Sequence, residues 1–200
     1  MKRPIIAIDI DDVLADYAKG FVDFSNARWG GNLTIDDYDE HWGNVWGLNK
    51  DEVRRRADLI HLERMVRNLD HKPEARPVLE KLAQRFELMV VTSRRIQNKD
   101  DTLDWLQKYY PMISTELVTF TSFFDKIDDQ SIKKTKGSLI ASLRASYMID
   151  DLPKHCFSAV DHGVKALLFG SYSWNRIDTL PESITRVADW GDVERYFEDV

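Results

Sequence analysis

Three short apolar runs in this chain each stop abruptly on acids or hydroxyls. Ile5-Ile6-Ala7-Ile8 runs into Asp9, Asp11 and Asp12, Leu88-Met89-Val90-Val91 into Thr92 and Ser93, and Tyr147-Met148-Ile149 into Asp150 and Asp151. Runs of three to five apolar residues bounded by polar ones read as strands buried on both faces. Amphipathic stretches separate them. Val13, Leu14, Tyr17, Phe21 and Phe24 recur at spacings of three and four, as a helix requires. Pro77 suits a first helical turn, with Val78, Leu79, Leu82 and Phe86 on one face behind it. Leu103, Leu106 and Tyr110 mark a helix that stops at Pro111, and Leu139, Ile140 and Leu143 mark another. Further strands are expected at 117–120 and, as the last one, at 164–169; helices are expected near 153–162 and 193–197.

Buried strands alternating with amphipathic helices predict an α/β chain, a three-layer Rossmann-like core around a parallel sheet. At 200 residues the chain is one large domain, or one domain with an insert. The alternation fails soon after the first strand. Gly30-Gly31, Asn32 and Gly43-Asn44 punctuate this region, three of the six tryptophans (Trp29, Trp42, Trp46) fall in it, and Asn49 stands before Lys50-Asp51-Glu52 like a helix N-cap. The expected division is a core of residues 1–15 and 76–200, with a small helical cap at 16–75 inserted after the first strand.

In an open parallel sheet, ligands bind beyond the carboxyl ends of the strands. Asp9, Asp11, Thr92, Ser93, Asp150 and Asp151 would therefore share one edge. Gathering that many carboxylates costs Coulomb repulsion, which a hard divalent cation removes. An all-oxygen ligand set without a His or Cys cluster points to Mg²⁺. Lys136, fourteen residues before Asp150 and followed by Gly137, is the candidate counter-charge, in competition with Lys133 and Lys134. Such a group of side chains can run phosphoryl transfer. One carboxylate attacks phosphorus, and a second protonates the leaving oxygen and then activates water. A hydroxyl and a lysine hold the phosphoryl oxygens.

The order of these motifs resembles the haloacid dehalogenase (HAD) superfamily of phosphotransferases. Asp9-Ile10-Asp11-Asp12-Val13-Leu14-Ala15-Asp16 is similar to its first motif, and Val90-Val91-Thr92-Ser93, Lys136 and Ile149-Asp150-Asp151 to the other three. Within it, the chain most resembles the cytosolic type C 5'-nucleotidases, or 5'(3')-deoxyribonucleotidases. That likeness rests on Val-Leu-Ala-Asp followed by Tyr17, on the Thr92-Ser93 pair, on Asp150-Asp151, and on Trp174-Asn175-Arg176 and Arg186-Val187-Ala188-Asp189-Trp190 in the tail.

The resemblance implies Asp9 as nucleophile and metal ligand. It implies Asp11 as general acid/base and as a ligand through its backbone carbonyl, and Asp150 as the third Mg²⁺ ligand. Thr92, Ser93 and Lys136 would bind phosphate, Asp151 would support the ligands, and Tyr17 would face the base of a nucleotide. Two positions depart from the family pattern: Asp12 stands where glycine is common, and Arg94 where proline is frequent, so Arg94 becomes a candidate substrate contact. The resemblance thus implies a Mg²⁺-dependent phosphomonoesterase for a small phosphorylated molecule, such as a (deoxy)nucleoside monophosphate.

Other readings compete with it. One is a HAD phosphatase acting on another small phosphoester or on a nucleic-acid end. Others are a phospho-accepting signalling module and a non-catalytic binding protein of the same fold. The bland reading of Asp11-Asp12 is a helix cap, and that of Asp151 an N-cap. Trp42 and Trp46 read as packing, Cys156 as a buried thiol, and the five histidines, His155 among them, as ordinary residues without metal-ligand spacing. A net charge of −6 argues against stable nucleic-acid binding. One cysteine cannot form an internal disulfide, and no apolar run suits a signal peptide or a membrane span; both suggest a cytoplasmic protein. A homodimer is compatible with this reading.

Overall fold

The computed structural model describes residues 3–121 and 135–200, so Lys133 and Lys134 lie outside the described residues. Six parallel strands form one sheet: β1 (Ile5–Ile8), β2 (Glu87–Thr92), β3 (Val118–Phe120), β4 (Ala145–Asp150), β5 (Lys165–Phe169) and β6 (Ile184–Val187). Their order across the sheet is β3-β2-β1-β4-β5-β6. The chain therefore builds outward from β1 on one side, then crosses back to lay β4 on the other.

Strand residues alternate between two apolar layers, as a period of two requires. Ile6, Ile8, Leu88, Val90, Ile149 and Leu167 face one layer. It is closed by Val78, Leu79 and Leu82 of α4 (Ala75–Arg85), Trp105 and Leu106 of α5 (Lys99–Tyr109), and Val193 and Phe197 of α8 (Trp190–Glu198). Ile5, Ala7, Met89, Val91, Met148 and Leu168 face the other. Ile140 of α6 (Lys136–Ser142) and Cys156 and Ala159 of α7 (Pro153–Asp161) close that side. The result is the expected three-layer α/β architecture, with Cys156 wholly buried.

Between β1 and α4 the chain forms α1 (Tyr17–Trp29), α2 (Trp42–Trp46) and α3 (Lys50–Leu62). Asn49 caps α3, its side chain accepting from the Glu52 amide at 3.1 Å. Phe21 collects Trp42 and Trp46, with ring centroids 5.1 and 5.2 Å away, so these tryptophans pack. Phe21, Val22, Ile60 and Leu69 join the same apolar layer as Ile6 and Leu79. The segment is tied off where it leaves and rejoins the sheet. The Asp16 amide donates to Asp70 O (3.0 Å), the Lys72 amide to Leu14 O (2.8 Å), and Lys72 pairs with Asp16 at 2.5 Å.

Two expectations change. Val13 and Leu14 are not on the first helix, because the chain turns at Asp12, a non-glycine residue with φ of 59°, and α1 begins only at Tyr17. The last strand is β6, not 164–169: Ile184-Thr185-Arg186-Val187 is an edge strand with two buried positions, so it lacks the apolar run that marks the central strands. No helix among the described residues is long and apolar enough to cross a membrane.

Candidate active site

The strand order reverses between β1 and β4, and it is at such a point, beyond the carboxyl ends, that an open parallel sheet has its ligand crevice. The Asp9 amide donates to Ile149 O at 3.0 Å, continuing the ladder one residue past β1 and locking Asp9 beside Asp150. Asp9, Asp150 and Asp151 each present an oxygen within 4.8 Å of the others, and all three are buried.

Lys136 is the cation of this group. Its Nζ lies 2.7 Å from Asp9 Oδ1 and 2.6 Å from Asp150 Oδ2, with the side chain 2% exposed. It stands at the first position of α6, behind the Thr135 N-cap. Gly137 lets α6 approach α7: a Cβ there would lie 2.3 Å from the Ser158 backbone.

Asp150 is further held by the Leu152 amide (2.9 Å) and by His155 Nδ1 (3.2 Å), and Asp151 accepts from Trp174 Nε1 at 2.7 Å. Asp151 is therefore not the cap of α7, whose N-cap position is Leu152. Burial and repulsion from Asp150 and Asp11 outweigh Lys136 at Asp9, raising its pKa to about 6. Burial raises Asp151 well above the carboxylate range, with Asp150 adding to it. At Asp150 burial is overcome by Lys136 and His155, and that carboxyl is held below its ordinary value. Asp9 and Asp150 thus share the Lys136 ammonium, while Asp151 beside them has the Trp174 indole as its partner.

Asp11 is half-buried, and its carboxylate is engaged. Arg94 donates from Nε (2.9 Å) and from a terminal nitrogen (2.6 Å), both to Oδ1. Thr92 ends β2 fully buried; its Oγ1 accepts from the Arg94 amide at 3.2 Å, and Ser93 follows half-buried. Tyr17 opens α1 with its ring 6.1 Å from that of Tyr38. Burial and the Asp11 charge push the Tyr17 phenol up. Asp12 does act as a cap: its carboxylate accepts from the Ala18 amide at 3.0 Å. Aspartate tolerates the left-handed backbone that a glycine would otherwise supply.

His155, Trp174 and Tyr38 were not singled out from the sequence as site residues. His155 follows Asp150 by five residues in the first turn of α7, where side chains tilt back toward the helix start; that spacing was the available signal. Trp174 reaches Asp151 from the loop after β5, and its ring centroid is 5.1 Å from that of Tyr38. Nothing local announced that meeting.

The fold, a six-stranded parallel sheet between helical layers, is shared with haloacid dehalogenase-like hydrolases. The fold is similar to a haloacid dehalogenase-like hydrolase from Streptococcus pneumoniae (TM-score 0.70, 13% identity, 98% of each chain). It is also similar to a structure described as a predicted phosphatase from Clostridium acetobutylicum (TM-score 0.71, 13% identity, 100% of each chain).

The family model for 5' nucleotidase, deoxy (pyrimidine), cytosolic type C protein matches residues 3–198, and the chain belongs to that family. Similar curated proteins carry the name "Putative 5'(3')-deoxyribonucleotidase". One, from Staphylococcus epidermidis, is 25% identical over 211 residues, covering 100% of this chain and 99% of its own. Another, from Staphylococcus aureus, is 24% identical over 210 residues, covering 100% and 98%. As a member of a nucleotidase family, the protein is an enzyme, a phosphatase.

Proposed function

We propose that this chain is a Mg²⁺-dependent phosphomonoester hydrolase that works through an aspartyl-phosphate on Asp9 and takes (deoxy)nucleoside monophosphates as substrates. The observation that carries the proposal is the environment of Asp9. Its Oδ1 is buried against the Lys136 ammonium, 2.7 Å away. Its carboxylate stands beside those of Asp150 and Asp151, all buried with oxygens within 4.8 Å of one another, an all-oxygen set that fits a hard cation.

Asp9, Asp150 and the Asp11 backbone carbonyl would hold Mg²⁺, with Asp151 in support. When bound, the ion offsets the charge of these carboxylates and of the phosphoryl oxygens. The protein groups then divide the chemistry. Asp9 attacks phosphorus, the bond from phosphorus to the leaving oxygen breaks, and Asp11 gives that oxygen its proton. Water next attacks the phosphoaspartate at phosphorus and passes a proton to Asp11, which frees phosphate and Asp9. Thr92, Ser93 and Lys136 hold the phosphoryl oxygens throughout. Residues 16–75 serve as a cap over the core of 1–15 and 76–200, with Tyr17 toward the nucleoside, so that closure excludes water. The family description, cytosolic type C, supports a cytoplasmic location.

Phosphate release from a panel of nucleoside monophosphates and sugar phosphates, with Mg²⁺ and with chelator, tests this reading. Chelator is expected to stop turnover. Asp9→Asn is expected to lower it by about 10⁴-fold or more while the far-UV circular dichroism stays unchanged. Turnover surviving in Asp9→Asn would overturn the mechanism.

A further inference from the structure

We infer that Arg94 is a positioning residue for Asp11, aiming one particular oxygen of that carboxylate at the leaving group. The inference rests on the catalytic reading above and adds a role for a residue outside the family pattern.

The Arg94 side chain is 2% exposed, and its guanidinium nitrogens are engaged by Asp11 and Thr102. Its Nε and one terminal nitrogen both donate to Asp11 Oδ1, at 2.9 and 2.6 Å. The other terminal nitrogen donates to Thr102 Oγ1 of α5 at 3.3 Å, and the guanidinium lies 5.9 Å from the ring centroid of Trp105 on the same helix. Trp105 is buried and anchored by its own indole, which donates to Leu69 O at 2.9 Å. The guanidinium is thus seated on α5 and reaches across to Asp11.

The geometry assigns different tasks to the two oxygens of Asp11. Oδ1 takes both guanidinium bonds. Oδ2 makes no hydrogen bond among the described residues and is the oxygen left to carry the proton. Oδ1 can accept from arginine whether or not Oδ2 is protonated, so the contact persists through proton transfer. A rigid planar fork fixes carboxylate orientation in a way that a lysine cannot. Freed of Arg94, the Asp11 side chain would sample other rotamers, and transfer to the leaving oxygen would lose its alignment.

The test exploits leaving-group chemistry. p-Nitrophenolate departs with little need of a proton, whereas a nucleoside 5'-alkoxide needs one. Arg94→Met is expected to lower kcat for a deoxynucleoside monophosphate by about 10²-fold, with little change in KM, and to lower kcat for p-nitrophenyl phosphate by less than a tenth of that factor. The ratio of the two rates does not depend on how much of the variant is folded. Arg94→Lys is expected to restore part of the ratio, and adding Arg94→Met to Asp11→Asn to change it no further. Equal losses on both substrates, or an undiminished extra loss in the double variant, would overturn the positioning role. Failure of the underlying catalytic reading is distinct: it appears as turnover that survives Asp9→Asn.

Discussion

The crevice between β1 and β4 and the helical segment between β1 and α4 use charge in opposite ways. In the crevice Asp9, Asp150, Asp151 and Lys136 are buried, with Lys136 paired to Asp9 and Asp150 and Asp151 accepting from Trp174. In the segment, the charges stay near water: Arg28 with Glu63, Arg55 with Glu52, and Glu40 with Lys154 of the core. Aromatic rings do the packing instead, with Phe21 between Tyr38, Trp42 and Trp46, and Arg56 over Trp29 at 4.4 Å. A buried charge tolerates one geometry, because an unpaired partner costs several kcal/mol, whereas exposed pairs can rearrange cheaply. On the proposed function, the region of buried charge would hold the reacting groups, and the segment held by exposed pairs would be the one to follow a substrate.

Several variants would break or sharpen this contrast. Lys136→Met should have the largest effect on stability. It leaves Asp9 and Asp150 facing each other without their ammonium, at a cost of about 3–5 kcal/mol. Thermal melts should recover part of that loss in Mg²⁺ and none in chelator; a variant as stable as wild type in chelator would show that the crevice does not depend on its cation.

Gly137→Ala comes next. The added methyl meets Ser158 backbone, which cannot yield as a flexible side chain would, so about 1–3 kcal/mol should be lost. The Lys136 ammonium should be displaced as well, with turnover falling more than stability alone accounts for.

Arg64 and Asp101 test the border between the two regions. The Asp101 carboxyl is held below its ordinary value chiefly by the Arg64 guanidinium. A depressed folded pKa means that the stabilisation is fully present above the unfolded carboxylate value of about 3.9 and is lost as pH falls through the lower folded value. Asp101→Asn should therefore flatten the acid limb of a pH–melting curve and leave its neutral side parallel to wild type. An unchanged acid limb would remove Asp101 from the account.

Lys154→Met should do least. It removes an exposed pair to Glu40 and should shift stability by about 1 kcal/mol or less. A larger loss would mean that the segment is clamped to the core as firmly as the crevice is held.

The strands were legible where the chain is apolar on both faces. Ile5–Ile8 and the run to Thr92 announced themselves; Ile184–Val187 did not, since an edge strand needs only alternate buried residues. The helix after β1 was read too early because Val13 and Leu14 are apolar at helical spacing. In the fold they are buried in a turn, where Trp190 donates to Val13 O and the Tyr110 hydroxyl lies 2.9 Å from Leu14 O. Tertiary packing, not helical periodicity, is what buries them.

Sequence alone determined which reactive groups would stand at the strand ends. The apolar runs end at the carboxyl edge of the sheet, where Asp9 follows β1 and Thr92 and Asp150 close β2 and β4. Only the tertiary structure decided who pairs with whom. Arg94 meets Asp11 across 83 positions, and Trp174 meets Asp151 across 23. His155 was near in sequence yet passed as ordinary until α7 turned its ring onto Asp150. Such contacts depend on how helices seat on the sheet. Seating is settled by packing details such as the missing Cβ at Gly137, which no local pattern of residue types encodes.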